Sequence, residues 1–136
     1  MRIELPGIRD QQAFIFQQAT DQAIRQLKAN LEAPRLPPQQ YVTEQDFPRS
    51  HLLRESEGWE APPAELVRAY FKHFQDHFPA YNTDGKLAAL LGLSSDRRVR
   101  EFKEGGRKVP YGVWRHFLVI TGRVPQDVLP VLAYMA

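Results

Sequence analysis

Residues 84–110 read Asp84-Gly-Lys-Leu-Ala-Ala-Leu-Leu-Gly-Leu-Ser-Ser-Asp-Arg-Arg-Val-Arg-Glu-Phe-Lys-Glu-Gly-Gly-Arg-Lys-Val-Pro110, a short apolar-faced helix, a tight turn and a strongly basic helix in succession. Leu87, Leu90 and Leu91 give the first helix, residues 83–91, one apolar face, with Thr83 as its cap. Gly92 lets the backbone turn, and Ser94 or Ser95 can cap the second helix by accepting its free N–H groups. That second helix, residues 95–104, carries Val99 and Phe102 three apart, so both face the core and the opposite side follows in steps of about 100°. The outer side then holds Arg97, Arg100, Glu101 and Glu104, with Arg98 on a flank. Gly105-Gly106 ends the helix.

Outward from this stretch the pattern stays helical. Upstream, Pro62-Pro-Ala-Glu opens a helix to about residue 78, with Val67, Tyr70, Phe71, Phe74 and Phe78 on one face. An aromatic stripe at this spacing is read as core. Downstream, Val109-Pro110 leads to a helix over residues 111–121 that places Val113, Trp114, Phe117, Leu118 and Ile120 mostly inward, closed by Gly122. A last helix is expected over residues 125–134, bent or split by Pro130. Residues 34–63 hold six of the eleven prolines and read as an extended connector. Their Tyr41, Val42, Phe47, Leu52, Leu53 and Trp59 predict an ordered, irregular wrap lying partly across the globular body, with one short helix near residues 48–55. Residues 8–31 read as an amphipathic helix of Ala13, Phe16, Ala23, Ile24, Leu27 and Leu31, with glutamines on the other face.

The organisation expected is an all-α chain: an N-terminal helix in 1–33, a proline-rich connector in 34–61, and a helical body in 62–136. No strand alternation or internal repeat is visible. With no cysteine in 136 residues, disulfides, thiolate nucleophiles and cysteine-ligated metals are excluded, and a reducing cytoplasm is the expected home. No apolar run approaches the ~20 residues of a membrane span, and residues 1–10 lack a signal-peptide pattern. The chain is expected to be soluble and unexported.

Enzymatic signatures are weak, and no catalytic residue, metal or cofactor is expected. His73 and His77 stand at i and i+4 but no glutamate follows His73, so a surface pair is the reading. Glu55, Glu57 and Glu60 beside Trp59 read as a solvated loop, and Gly105-Gly106-Arg-Lys lacks phosphate-loop spacing. His51 and His116 are isolated. No small-molecule site is evident.

The net charge of +2 conceals an asymmetry: residues 86–123 contain nine basic residues against three acids, a net of +6, leaving −4 elsewhere. A polyanion-binding end is implied. Arginine grips guanine O6 and N7 with two bonds and glutamate accepts from cytosine N4, so the mixed face of the basic helix suits base reading. Ser95, Asp96, Arg97, Arg98, Arg100 and Glu101 are the candidate base contacts. Lys86, Ser94, Lys103, Arg107 and Lys108 are the candidate phosphate contacts. The alternative is a solvated face whose arginines pair with Asp96, Glu101 and Glu104.

Leu87-Ala88-Ala89-Leu90-Leu91-Gly92-Leu93-Ser94, followed by Phe102, Gly105 and Pro110, resembles the Leu-Ala-x-x-Leu-Gly-x-Ser, aromatic, Gly, Pro pattern of the lambda-repressor-like (Cro-like) helix-turn-helix proteins of bacteria, phages and plasmids. Asp96-Arg97-Arg98-Val99-Arg100-Glu101-Phe102 is similar to a bacterial variant with Asp-Arg-x-Val-Arg-x-Trp. Phe102 stands where that variant has Trp, and the turn reads one residue longer than the commonest form. The resemblance covers roughly residues 63–121. It implies a helix-turn-helix bundle that binds double-stranded DNA, a transcriptional regulator in the cytoplasm at the nucleoid. A homodimer on DNA is expected, since one recognition helix reads few base pairs and the Phe14, Ile15 and Phe16 cluster exceeds one narrow stripe. Competing readings are a protein-interaction scaffold retaining this fold and a replication or recombination accessory protein.

Overall fold

The computed structural model describes residues 7–135. Most of the leader-peptide reading of residues 1–10 therefore lies outside the described residues. Among these, five α-helices and no strand occur, so the chain is all-α. None of the helices is long and apolar enough to cross a membrane. Backbone contacts divide the chain into two units, Met1–Pro37 and Pro38–Ala136.

The first unit contains one helix, α1 (Ile8–Asn30), with Asp10 in its first turn and Lys28 in its last. Its alanines, glutamines, leucine and basic residues are good helix formers. Side-chain bonds at i, i+4 add local support, Gln17 to Asp21 at 3.2 Å and Gln26 to Asn30 at 2.7 Å. No residue of α1 is buried.

The second unit is built from α2 (Ala64–His77), α3 (Asp84–Leu90), α4 (Asp96–Glu104) and α5 (Tyr111–Ile120). Thr83 caps α3, its hydroxyl accepting the Lys86 N–H at 3.3 Å. At the other end of α3 the Leu93 N–H reaches the Ala88 carbonyl at 2.8 Å and the Gly92 N–H reaches Ala89 at 3.3 Å. This pair of bonds satisfies two orphan carbonyls and requires a left-handed residue, met by Gly92 at φ 73. Ser95 takes the cap position of α4 but its side chain makes no capping bond. Gly105 ends α4 at φ 83, and a Cβ there would come within 3.3 Å of the Ala64 side chain. Glycine is needed at that position for both angle and space.

The core lies between α2, α3, α4 and α5. Leu66, Val67, Tyr70, Phe71 and Phe74 of α2, Leu87 and Ala88 of α3, Val99 and Phe102 of α4, and Trp114, Phe117 and Leu118 of α5 are buried. Ring contacts join α2 to α5, Phe71 to Phe117 at 4.9 Å and Tyr70 stacked on Trp114 at 5.6 Å. Each such side chain contributes roughly 1.5–3 kcal/mol through burial.

Three expectations are corrected. Residues 125–134 form no helix; Pro130 lacks the N–H a second turn needs and its ring collides with the preceding turn, a penalty of about 3 kcal/mol that a ten-residue segment cannot offset. Val128, Leu129, Val131 and Leu132 are accordingly exposed. Ile120, placed inward from its spacing, is exposed at the end of α5. The short helix expected near residues 48–55 resolves into two 3-10 turns, Ser50–Leu52 and Glu55–Glu57, preceded by a third at Glu44–Asp46.

These turns lie against the helices through specific bonds. The buried His51 accepts the Trp114 indole N–H at its Nδ1 (3.1 Å), while the Trp59 indole donates to the His51 carbonyl at 3.1 Å. Arg115 donates to the Leu52 carbonyl at 3.2 Å. Glu44 accepts from the Tyr70 hydroxyl and, at 2.9 Å, from Arg123, whose guanidinium lies 3.7 Å from the centre of the Tyr70 ring. Asp127 is gripped by Arg54 at 2.8 Å and lies 3.6 Å from Arg115.

Candidate nucleic-acid interface

The orientation of α4 follows from two residues. Val99 is 0% exposed and Phe102 is 1% exposed, so the face opposite them is turned to solvent. Arg97 stands furthest out, its side chain 81% exposed, and Arg100 is exposed beside it. Arg98 is half-buried on the flank, as its angular position requires. Ser94, Ser95 and Asp96 lead into the helix and are exposed. The start of α3 lies against the start of α4: a Cβ at Gly85 would sit 4.0 Å from the Asp96 Cβ. The neighbouring Lys86 is thereby brought to the same end of α4, its ammonium 3.4 Å from the Asn82 side-chain oxygen.

The outer arginines are not bare. Arg97 pairs with Glu101 at 3.0 Å, Glu101 also pairs with Arg107 at 3.0 Å, and Arg100 pairs with Asp96 at 2.8 Å. The solvated-face alternative predicts these contacts, and magnitude decides their weight. Exposed pairs of this kind contribute about 0–1 kcal/mol, less than a two-bond arginine–guanine contact at roughly 1–3 kcal/mol. A polyanion can therefore replace these carboxylates.

Lys103 is placed differently from the other candidate phosphate contacts. Its ammonium bonds Asp84 of α3 at 2.6 Å and Gln75 of α2 at 3.0 Å, and only 20% of its side chain is exposed. Arg68 of α2 donates to the Lys103 carbonyl at 2.9 Å. Lys103 braces the end of α4 against the two helices beneath it. Spacing places Lys103, four residues after Val99, on the flank of the buried pair opposite to Arg98.

The charge excess is redistributed accordingly. Of the nine basic residues in 86–123, Lys103, Arg115 and Arg123 are held by Asp84, Asp127 and Glu44. Lys86, Arg97, Arg98, Arg100, Arg107 and Lys108 remain on or around the outer face of α3 and α4, against Asp96, Glu101 and Glu104. Six cations to three carboxylates leave this face with a net positive charge.

His51, isolated in the sequence, is buried and bonded to Trp114. Burial pushes it down to about 4, opposed by Glu44 and reinforced by Arg123 and Arg49. Nothing periodic surrounds it, and its partner Trp114 lies 63 residues away. The pair His73 and His77 stacks edge to face at 4.9 Å, with the His77 ring N–H donating to the His73 carbonyl at 2.9 Å.

No family model, curated protein or solved structure matches the chain.

Proposed function

We propose that the chain is a sequence-specific double-stranded DNA-binding transcriptional regulator of lambda-repressor-like helix-turn-helix type, acting at the nucleoid in the cytoplasm. The observation that carries the reading is the outer face of α4, which presents Arg97 and Arg100 while Val99 and Phe102 are buried behind it. In this reading α4 enters the major groove from its N-terminal end. Ser95, Asp96, Arg97, Arg98, Arg100 and Glu101 meet base edges, and Lys86, Ser94, Arg107 and Lys108 meet phosphates. Cations released from DNA supply affinity, so binding weakens steeply with salt. Two copies joined through α1 read two half-sites.

Arg97→Ala and Arg100→Ala test the assignment on the preferred duplex, obtained by selection from random DNA, and on a random duplex at one salt concentration. Each substitution is expected to weaken the preferred site by about 1–3 kcal/mol and the random duplex much less. Equal losses on both, measured by fluorescence anisotropy, would reduce these arginines to phosphate clamps and favour an accessory DNA-binding role. The scaffold reading draws support from the exposed Val128, Leu129, Val131 and Leu132. Absence of any duplex binding by anisotropy would favour it over both DNA-binding readings.

A further inference from the structure

We infer that Lys103 is a positioning residue for sequence recognition: by tying the end of α4 to α2 and α3 at once, it fixes the rotation at which Arg97 and Arg100 are presented. This rests on the DNA-binding reading above and assigns Lys103 to sequence choice rather than to phosphate attraction. Its ammonium donates to Asp84 Oδ1 at 2.6 Å and to Gln75 Oε1 at 3.0 Å, and the Gln75 amide donates to the same Asp84 oxygen at 3.4 Å. Three helices thus meet in one closed triangle. The Lys103 carbonyl is one of the last four of α4, which have no partner within the helix, and it accepts Arg68 of α2 at 2.9 Å.

Val99 and Phe102 hold α4 to the core by apolar contact, which is non-directional, whereas hydrogen bonds have preferred lengths and angles. The pairs Arg97 with Glu101, Arg100 with Asp96 and Arg107 with Glu101 are local to α4 and the segment that follows it, and give no hold on another helix. Lys103 gives that hold. It stands seven residues after Asp96, about two turns, so both lie on one flank of α4. Along that flank runs the start of α3, where Gly85 adjoins Asp96 and Asp84 takes the ammonium. A base-edge contact tolerates only about 10–20° of misplacement. At a helix radius of about 5–6 Å, a turn of about 20° shifts a side chain by roughly 2 Å, well beyond the spread of hydrogen-bond lengths, about 0.5 Å. To a phosphate the same ammonium offers little: Asp84 already neutralises it, and the two side chains are only 20% and 22% exposed, so salt screens the pair weakly.

Removing the Asp84 charge has opposite consequences under the two roles. It strengthens binding to every duplex if Asp84 merely competes with phosphate for Lys103, and it costs discrimination if the pair positions α4. Full-length Asp84→Asn and Lys103→Met are to be titrated by fluorescence anisotropy against the preferred and random duplexes over a series of salt concentrations, below their thermal midpoints. Each is expected to lower the ratio of the two affinities about tenfold, the size of one lost two-bond base contact. The double variant is expected to fall no lower than either single one, and the salt dependence of Lys103→Met to match wild type. Equal losses on both duplexes, with the log–log salt slope of Lys103→Met reduced by about 0.9, would return Lys103 to the phosphate contacts. Asp84→Asn tightening both duplexes with the ratio intact would do the same. Without DNA, residual dipolar couplings are expected to show α4 reoriented against α2 and α5 in Lys103→Met with every helix intact, and couplings equal to wild type would overturn the positioning role. A wild type that binds no duplex, or binds without choosing a sequence, refutes the reading on which this role rests; uniform losses from a wild type that does discriminate refute the role of Lys103 alone.

Discussion

Phe102→Ala is expected to remove about 3–5 kcal/mol of stability. The side chain is 1% exposed and anchors α4, the element packed on both α2 and α3. Domains of this size hold only about 5–15 kcal/mol in total, so this one truncation consumes a large share, and the thermal midpoint falls by roughly 4 °C or more per kcal/mol. Arg97→Ala is the control: it lies on the opposite face and is expected to leave the midpoint nearly unchanged. A Phe102→Ala midpoint equal to wild type would mean that α4 is rotated about its axis and that its outer residues are misassigned.

Acid is expected to destabilise the protein through His51. In the folded chain its Nδ1 accepts the Trp114 indole proton in a buried site, and its proton affinity is pushed down to about 4. In the unfolded chain it returns to about 6.5. Between these values the unfolded state binds the extra proton, so stability is complete above pH about 6.5 and is lost as pH falls toward 4. The loss is about 3 kcal/mol. Glu44 adds to it at lower pH: burial works against its ionised form, but the Tyr70 hydroxyl and Arg123 outweigh burial and hold it below the usual carboxylate range. Its contribution is present above the unfolded carboxylate pKa and disappears as pH falls through the folded one. Urea unfolding at pH 7 and 4.5 measures the change. His51→Gln retains an acceptor for Trp114 without a titrating group, and should flatten the dependence above pH about 5; an unaltered slope would assign the acid sensitivity elsewhere.

Helices α2 to α5 were legible because their apolar residues recur at helical spacing and because Thr83, Gly92, Gly105 and Pro110 mark starts and stops by chemistry that acts within a few residues. The buried pair Val99 and Phe102 was legible for the same reason. Lys103 falls on a flank of the same pair, and spacing alone does not distinguish a flank bound to Asp84 and Gln75 from one left in solvent. The tail was misread where four aliphatic residues at helical spacing were given more weight than Pro130. The bonds of residues 38–61 left no trace, since each is a single contact between residues far apart in the chain, and no local period encodes which histidine will meet which indole.

Those bonds carry a consequence for the order of folding. His51 meets Trp114 and Leu52 meets Arg115 across 63 residues, and Glu44 meets Arg123 across 79. The α3–α4 corner closes within about one turn of chain, whereas the wrap must close a long loop before any of its contacts forms, and loop entropy defers such events. On this ground the helices are expected to assemble first, with the wrap seating after the rate-limiting step. Interactions made that late act on escape rather than entry: weakening Glu44 or His51 speeds unfolding while the refolding limb of a chevron plot stays where it was. On that expectation the wrap governs how long the native state lasts.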